Sequence, residues 1–334
     1  MSMVGTSGCQ PSLGATEQEH GDAPALNNAM NKENRMAHKP TVQGFYHEQS
    51  GSVAYVVADP GTGKCMVIDP VLGFDLKSGS IDTTPSDQVR DYILGRGLAV
   101  EWVLDTHPHA DHLSGVAYLS GQLHAPTAIG ERVNVVQEIW AEIYNLPSIH
   151  RNGRECWHRL LADGDRFHVG DLEVEVLFSP GHTAASVTYV VGDAAFVHDT
   201  LFMPDGGTAR ADFPGGDARA LYRSIQRILS LPPETRLFTG HDYRPGGREV
   251  RWESTVAEQQ AANIHLRDAK GEDAFVRLRT ERDRCLPLPE MMLAALQVNL
   301  RAGHLPEPEV NGTSYLRVPI NRFAALSSDT ATSR

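Results

Sequence analysis

The chain has little cysteine: Cys9, Cys65, Cys156 and Cys285 are the only four in 334 residues. They lie far apart and form no Cys-x-x-Cys pair, which argues against a disulfide framework or a thiolate zinc site. They are expected to be free thiols in a reducing cytosol. No apolar run approaches the length of a membrane span. Residues 1–37 lack both the apolar core of a signal peptide and the Arg-rich, acid-poor character of a transit peptide. They are rich in Gly, Ser, Ala, Asn, Glu and Gln, so a disordered tail is expected. No basic run is present, and the net charge is 30 − 42 = −12, which opposes non-specific binding to nucleic acid or anionic membrane. There is no internal repeat. The hydrophobic content of 41% fits a globular protein.

What the chain does have is histidine in one place. Behind the apolar stretch Trp102-Val103-Leu104 comes Thr106-His107-Pro108-His109-Ala110-Asp111-His112. Neutral imidazole and carboxylate are the ligands that borderline divalent metals prefer. A loop leaving a strand can point the two histidines of His-x-His at one centre, and a helix starting near Asp111 would bring Asp111 and His112 to it.

Further candidates follow, each behind a strand-like segment, where an α/β scaffold places chemistry. Leu172, Val174, Val176 and Phe178 alternate on one face of a strand, and Pro180-Gly181 then leaves His182 on a tight loop. The run Ala194–Val197 delivers His198 and Asp199, and Leu237-Phe238-Thr239-Gly240 delivers His241. Taken singly, His182 and His241 could be ordinary loop histidines and Asp199 a turn residue bonded to its own backbone. His198 has no evident role beyond supporting its neighbours.

The seven could hold two metals: His107, His109 and His182 on one, Asp111, His112 and His241 on the other, with Asp199 bridging. That arrangement suits hydrolysis. The smaller set His107, His182 and Asp199 is a two-histidine, one-carboxylate facial triad, which suits Fe(II) with open positions. The ligand inventory alone leaves both open.

The order His-x-His-x-Asp-His, Gly-His, Asp, Gly-His resembles the metallo-β-lactamase superfamily over about residues 40–265. The resemblance implies an α/β fold, the αββα four-layer sandwich. The segments Val67–Val71, Asp75–Gly79, Gly207–Phe213, Asp212–Gly216, Gly240–Tyr243 and Asn311–Leu316 look like the persulfide dioxygenase branch, bacterial β-lactamase hydrolase-like type, over about residues 38–323.

That likeness implies one Fe(II) per chain on His107, His182 and Asp199. The matching second-site residues His109, Asp111, His112 and His241 would be present without metal, orienting ligands or moving protons. Arg210, Asp212 and Tyr243 would line the substrate pocket, with Arg210 offering its fork of donors to a carboxylate. The plainer alternatives are a surface ion pair between Arg210 and Asp212, and a half-buried Tyr243 ring with its hydroxyl at water. The implied reaction is oxidation of glutathione persulfide by O2 to sulfite and glutathione. The competing expectation is a dinuclear zinc hydrolase of glutathione thioesters, of the glyoxalase II type. Ala209 and Ala211 depart from the branch pattern, in the pocket segment rather than at the ligands.

The expected organisation is a tail over 1–37, the metallo-β-lactamase-like domain over 38–265 and a helical extension over 266–325. Hairpin strands are expected at Val53–Ala58 and Cys65–Asp69 around the Pro60–Gly63 turn, and helices over 86–97 and 131–145. In the second of these, Val135, Ile139 and Ile143 form the apolar stripe. Further helices are expected after the Asp217 cap, from the Thr255-x-x-Glu258 capping box to Arg267, and over 272–284 and 289–301. A cytoplasmic homodimer is expected, with a sulfurtransferase as a compatible source of persulfide.

Overall fold

In the computed structural model, residues 39–150 and 156–323 are described; the expected N-terminal tail lies outside them. The chain runs β1 (Thr41–His47), β2 (Ser52–Ala58), β3 (Lys64–Ile68), β4 (Val71–Asp75), β5 (Ser80–Asp82), α1 (Thr84–Gly95), β6 (Ala99–Leu104) and β7 (Leu113–Ser114). It continues through α2 (Val116–Leu123), β8 (Thr127–Gly130), α3 (Val133–Tyr144), β9 (Arg159–Leu161), β10 (Arg166–Val169), β11 (Leu172–Phe178), β12 (Val187–Val191) and β13 (Ala194–Phe196). Then come α4 (Ala218–Leu229), β14 (Arg236–Phe238), β15 (Glu253–Thr255), α5 (Val256–Ala262), α6 (Ile264–Asp268), α7 (Glu272–Asp283) and α8 (Met292–Asn299).

Two six-stranded sheets form, in the orders β1-β2-β3-β6-β8-β9 and β10-β11-β12-β13-β14-β15, with a small sheet β5-β4-β7 beside them. Strand periodicity explains the layering. Along β2, Val53, Tyr55 and Val57 face the second sheet and pack with Val174, Val176 and Tyr189. The alternate residues Ala54, Val56 and Ala58 pack outward against Val89, Leu119 and Trp140 of the helices. On the far side, Leu177, Val190 and Leu237 meet Leu221, Ile225 and Ile228 of α4. The result is the expected αββα sandwich. Strands β2 and β12 are therefore buried on both faces, whereas β10 and the start of β11 alternate buried and exposed residues, and the β2–β3 hairpin forms as expected. Tyr55, Phe196 and Phe238 lock the two sheets together at ring separations of 5.0–5.6 Å, within the range of favourable aromatic contact.

Local signals explain the helix starts. The Asp217 side chain accepts from the N–H groups of Arg219 and Ala220 to open α4, and Thr255 and Glu258 form a reciprocal capping box for α5. Three expectations need correction. The helix expected to run to Arg267 breaks at Asn263, which has an extended ψ of 119° and whose side chain caps α6. The buried face of α3 is Val133, Val136, Gln137, Trp140, Ala141 and Tyr144, whereas Val135 is exposed. No helix starts at Asp111: that stretch enters β7, and α2 begins only at Val116.

In the C-terminal part, Met292, Leu296 and Leu300 join the core under α3. No helix of the described residues is long and apolar enough to cross a membrane.

Candidate metal centre

The loop after β6 is tied down before its histidines are reached. Asp69, just past β3, accepts the Thr106 N–H at 2.7 Å and the Thr106 hydroxyl at 2.8 Å. Asn299 of α8 donates to the carbonyls of both His109 and His112 at 2.8 Å and accepts the Ser114 N–H at 2.8 Å. A C-terminal helix thus fixes the backbone of the ligand loop.

Each further strand end then contributes. Gly181, at φ +143°, lets the chain after β11 pass α4 so closely that a Cβ there would sit 2.3 Å from the Leu221 backbone. His182 follows, its Nδ1 hydrogen-bonded to the Arg210 carbonyl at 2.9 Å, which leaves Nε2 as the free ligand atom. Asp199 comes three residues after β13, and His241 three after β14.

Ligand atoms of His107, His182 and Asp199 lie within 4.8 Å of one another, and all three residues are buried. Burial, then the neighbouring histidines His109 and His182, hold His107 well below the ordinary imidazole range, so it is neutral and ready to ligate. For Asp199 burial acts upward, but His241, His182 and His107 outweigh it and keep the carboxylate ionised.

Two further groups meet the same test: His109, Asp111 and His112, and Asp69, His107 and His109. His109 Nδ1 and His112 Nε2 are buried with no hydrogen-bond partner. Buried imidazole nitrogens are rarely left so, and a metal is the partner that suits such atoms. The residues therefore fit a metal.

His241 is placed differently. Its Nδ1 lies 2.6 Å from Asp199 Oδ1 and its Nε2 2.8 Å from Asp111 Oδ2. Burial lowers its pKa, but Asp199 and Asp111 with Tyr243 carry it well above the ordinary value. Both of its nitrogens lie within hydrogen-bond reach of a carboxylate. The Ser52 hydroxyl sits amid this group, 2.8 Å from Asp111 Oδ2, 3.1 Å from His112 Nδ1 and 3.0 Å from His241 Nε2.

A cavity of about 1010 Å³ opens on the centre and is lined by Asp111, His112, His182, Asp199, Arg210 and Tyr243 among others. Phe74 to Lys77 form one wall and Leu286 to Met291 another. Arg210 makes a two-pronged ion pair with Asp212, at 2.7 and 2.8 Å, and donates to the Pro287 carbonyl at 2.6 Å. Its guanidinium lies 4.5 Å from the Phe213 ring centre, and that ring packs edge-on against His182. Tyr243 is 62% exposed, more open than the half-buried ring considered above, and stacks on His241 with centroids 5.4 Å apart.

Of the sequence-expected residues, Asp111, His112, His182, Asp199, Arg210 and Tyr243 line the cavity; His107, His109 and His241 are buried against these, and Asp212 is tied to it through Arg210. Ser52, Asp69 and Asn299 were not singled out in the sequence as site residues. Only Asp69 left a trace there, as the Asp-Pro that ends a strand.

A four-layer αββα sandwich with histidines and carboxylates at the strand ends of both sheets defines a metal-binding class. The chain belongs to the metallo-β-lactamase superfamily, whose family model matches residues 48–241. It is 60% identical over 282 residues to a "Beta-lactamase hydrolase-like protein" of Xylella fastidiosa, covering 84% of this chain but 65% of that one. The chain therefore spans just under two thirds of that relative's length. "Glyoxylase B2" of Dictyostelium discoideum is 42% identical over 288 residues, covering 86% of this chain and 99% of its own. The mitochondrial persulfide dioxygenase ETHE1 of Homo sapiens is 30% identical over 262 residues, covering 78% and 87%. Among solved structures, ETHE1 from Myxococcus xanthus superposes with a TM-score of 0.64 at 28% identity, covering 79% of this chain and all of that one.

Proposed function

We propose that this protein is an iron(II)-dependent dioxygenase of persulfides, with glutathione persulfide as substrate. The observation that carries the reading is the pairing of a clean His107, His182 and Asp199 set with a His241 whose two nitrogens are both spent on carboxylates. A second metal on His241 would have to displace one of these two carboxylate contacts. The likeness to the two ETHE1 proteins points the same way.

His107, His182 and Asp199 would hold the metal. Iron(II) there supplies open positions and the redox chemistry that couples a soft sulfur anion to dioxygen. The balanced reaction is glutathione persulfide plus O2 plus water giving glutathione plus sulfurous acid, which ionises to sulfite. The protein's own residues supply the rest. Arg210 uses three of its five N–H donors on Asp212 and Pro287, so two remain for a substrate carboxylate. The carbonyl of the same residue fixes His182, so the substrate wall and a metal ligand are one rigid piece. His241 lies between Asp199 and Asp111 and can hold a proton beside the reacting centre.

A second reading is a dinuclear zinc hydrolase of glutathione thioesters. It is favoured by the His109, Asp111 and His112 group and by the name of the Dictyostelium relative. The deciding experiment is oxygen uptake by iron-loaded protein given glutathione persulfide. Uptake matched by sulfite supports the dioxygenase; no uptake with iron bound, together with thioester cleavage by the zinc form, supports the hydrolase.

A further inference from the structure

His198 takes no part in the ligand sets above, yet it is buried beside them in an uncommon backbone conformation. It is 2% exposed and sits at φ +47°, a left-handed conformation that is uncommon outside glycine. Such strain persists where the surroundings over-determine it. The surroundings here are three ligand-bearing loops. Gly240, just before His241, is bare where a Cβ would lie 2.6 Å from His198 Nδ1. Asp199 follows His198 directly, and the His107 and His109 rings lie 5.9 Å away, centroid to centroid. The His198 Nε2 rests against Asp69 Oδ2.

Asp69 passes this contact on. Its Oδ2 also takes the Thr106 hydroxyl proton at 2.8 Å, so the Thr106 oxygen is left to accept. His107 Nδ1 lies 3.0 Å from that oxygen. The proton of His107 is thereby placed on Nδ1, and Nε2 keeps the lone pair a metal needs. The other Asp69 oxygen, Oδ1, faces His109 Nε2 at 3.2 Å and the Thr106 N–H.

We infer that His198 is a positioning residue for the metal centre. Acting through Asp69 and Thr106, it fixes the tautomer and aim of His107, and it spaces the Asp199 and His241 loops by filling the gap over Gly240. The inference rests on the metal centre proposed above but not on which reaction it runs.

The test is the affinity of the full chain for Fe(II), and for Zn(II) in parallel, measured by chelator competition alongside the thermal midpoint. Glycine accepts φ +47° without strain, which offsets part of the cost of the cavity left behind, so His198→Gly should lower the midpoint only modestly. It should nevertheless weaken Fe(II) binding by about 10- to 100-fold, as loss of an outer partner of a ligating histidine does. Thr106→Val interrupts the same chain and should weaken binding comparably. The double variant should be no weaker than the weaker single, because one path is broken twice. If His198→Gly does not fold, Thr106→Val reads the same path alone. Fe(II) affinity within about twofold of wild type in either folded variant, or fully additive losses in the double, would overturn the inference. A wild-type chain that binds neither metal would overturn the metal centre itself. A wild-type chain that binds iron but takes up no oxygen overturns only the dioxygenase.

Discussion

His241 Nδ1 lies 2.6 Å from Asp199 Oδ1, so a candidate second-site histidine is hydrogen-bonded to a candidate first-site carboxylate rather than left free beside it. The other His241 nitrogen is on Asp111. If one metal suffices, Asp111→Asn should leave metal content near one per chain while lowering the rate, since a neutral amide would hold His241 less tightly than the carboxylate does. Inductively coupled plasma analysis of the purified variant checks this. A wild type carrying two equivalents and a variant carrying one would favour the dinuclear hydrolase.

Arg210 has two jobs carried by different atoms. Its guanidinium faces the cavity and its carbonyl holds His182. Arg210→Ala removes only the first. KM for glutathione persulfide should rise about 10- to 100-fold, the size of one or two charge-assisted hydrogen bonds, while kcat changes little. Arg210→Lys should not restore KM, because an ammonium cannot reproduce the fork held by Asp212 and Pro287. Steady-state kinetics on both variants decide it; an unchanged KM in Arg210→Ala removes Arg210 from substrate binding.

Much of this centre could be read from the chain because metal ligands are chemically unusual and come in order behind strands. The supporting groups could not. Ser52 and Asn299 are common residues whose importance comes from partners 59 and more positions away. Asp69 reads like any strand-ending acid until Thr106 is seen on it. The α3 stripe misled for a different reason. Spacings of four drift by about 40° per step around a helix of 3.6 residues per turn, so the line through Val135, Ile139 and Ile143 runs aslant the buried face: Val135 is exposed, while Ile139 and Ile143 pack at its edge. That face also holds a polar residue, Gln137, which donates to the Leu300 carbonyl at 2.7 Å, a partner that no local pattern reveals.

Gly181 gives a sharp steric prediction. A methyl group at this position would collide with the α4 backbone at Leu221 and force an unfavourable φ of +143°. Gly181→Ala should cost about 3 kcal/mol or more of stability from strain and overpacking together. Because His182 is the next residue, Fe(II) affinity should fall as well. Urea unfolding and chelator competition on the same preparation measure both. Full stability with normal iron binding would mean that the loop yields freely.

His265 supplies a pH dependence away from the metal. It is 3% exposed, and its Nδ1 accepts the Thr208 N–H at 2.9 Å. Burial first, then Arg279 and Arg282, push its pKa down to about 3. The folded protein therefore keeps His265 neutral, while the unfolded chain protonates it near pH 6.5. Between about pH 6.5 and 3 the unfolded state binds the extra proton, so this residue's contribution falls as pH falls, by up to about 1.4 kcal/mol per unit; above pH 6.5 it adds no slope. His265→Asn retains an acceptor near Thr208 and cannot titrate. The wild-type minus variant difference in urea midpoint should thus be flat above pH 7 and move against the wild type on acidification to pH 5. A difference that stays constant over that range would show that His265 is protonated in the folded state as readily as in the unfolded one.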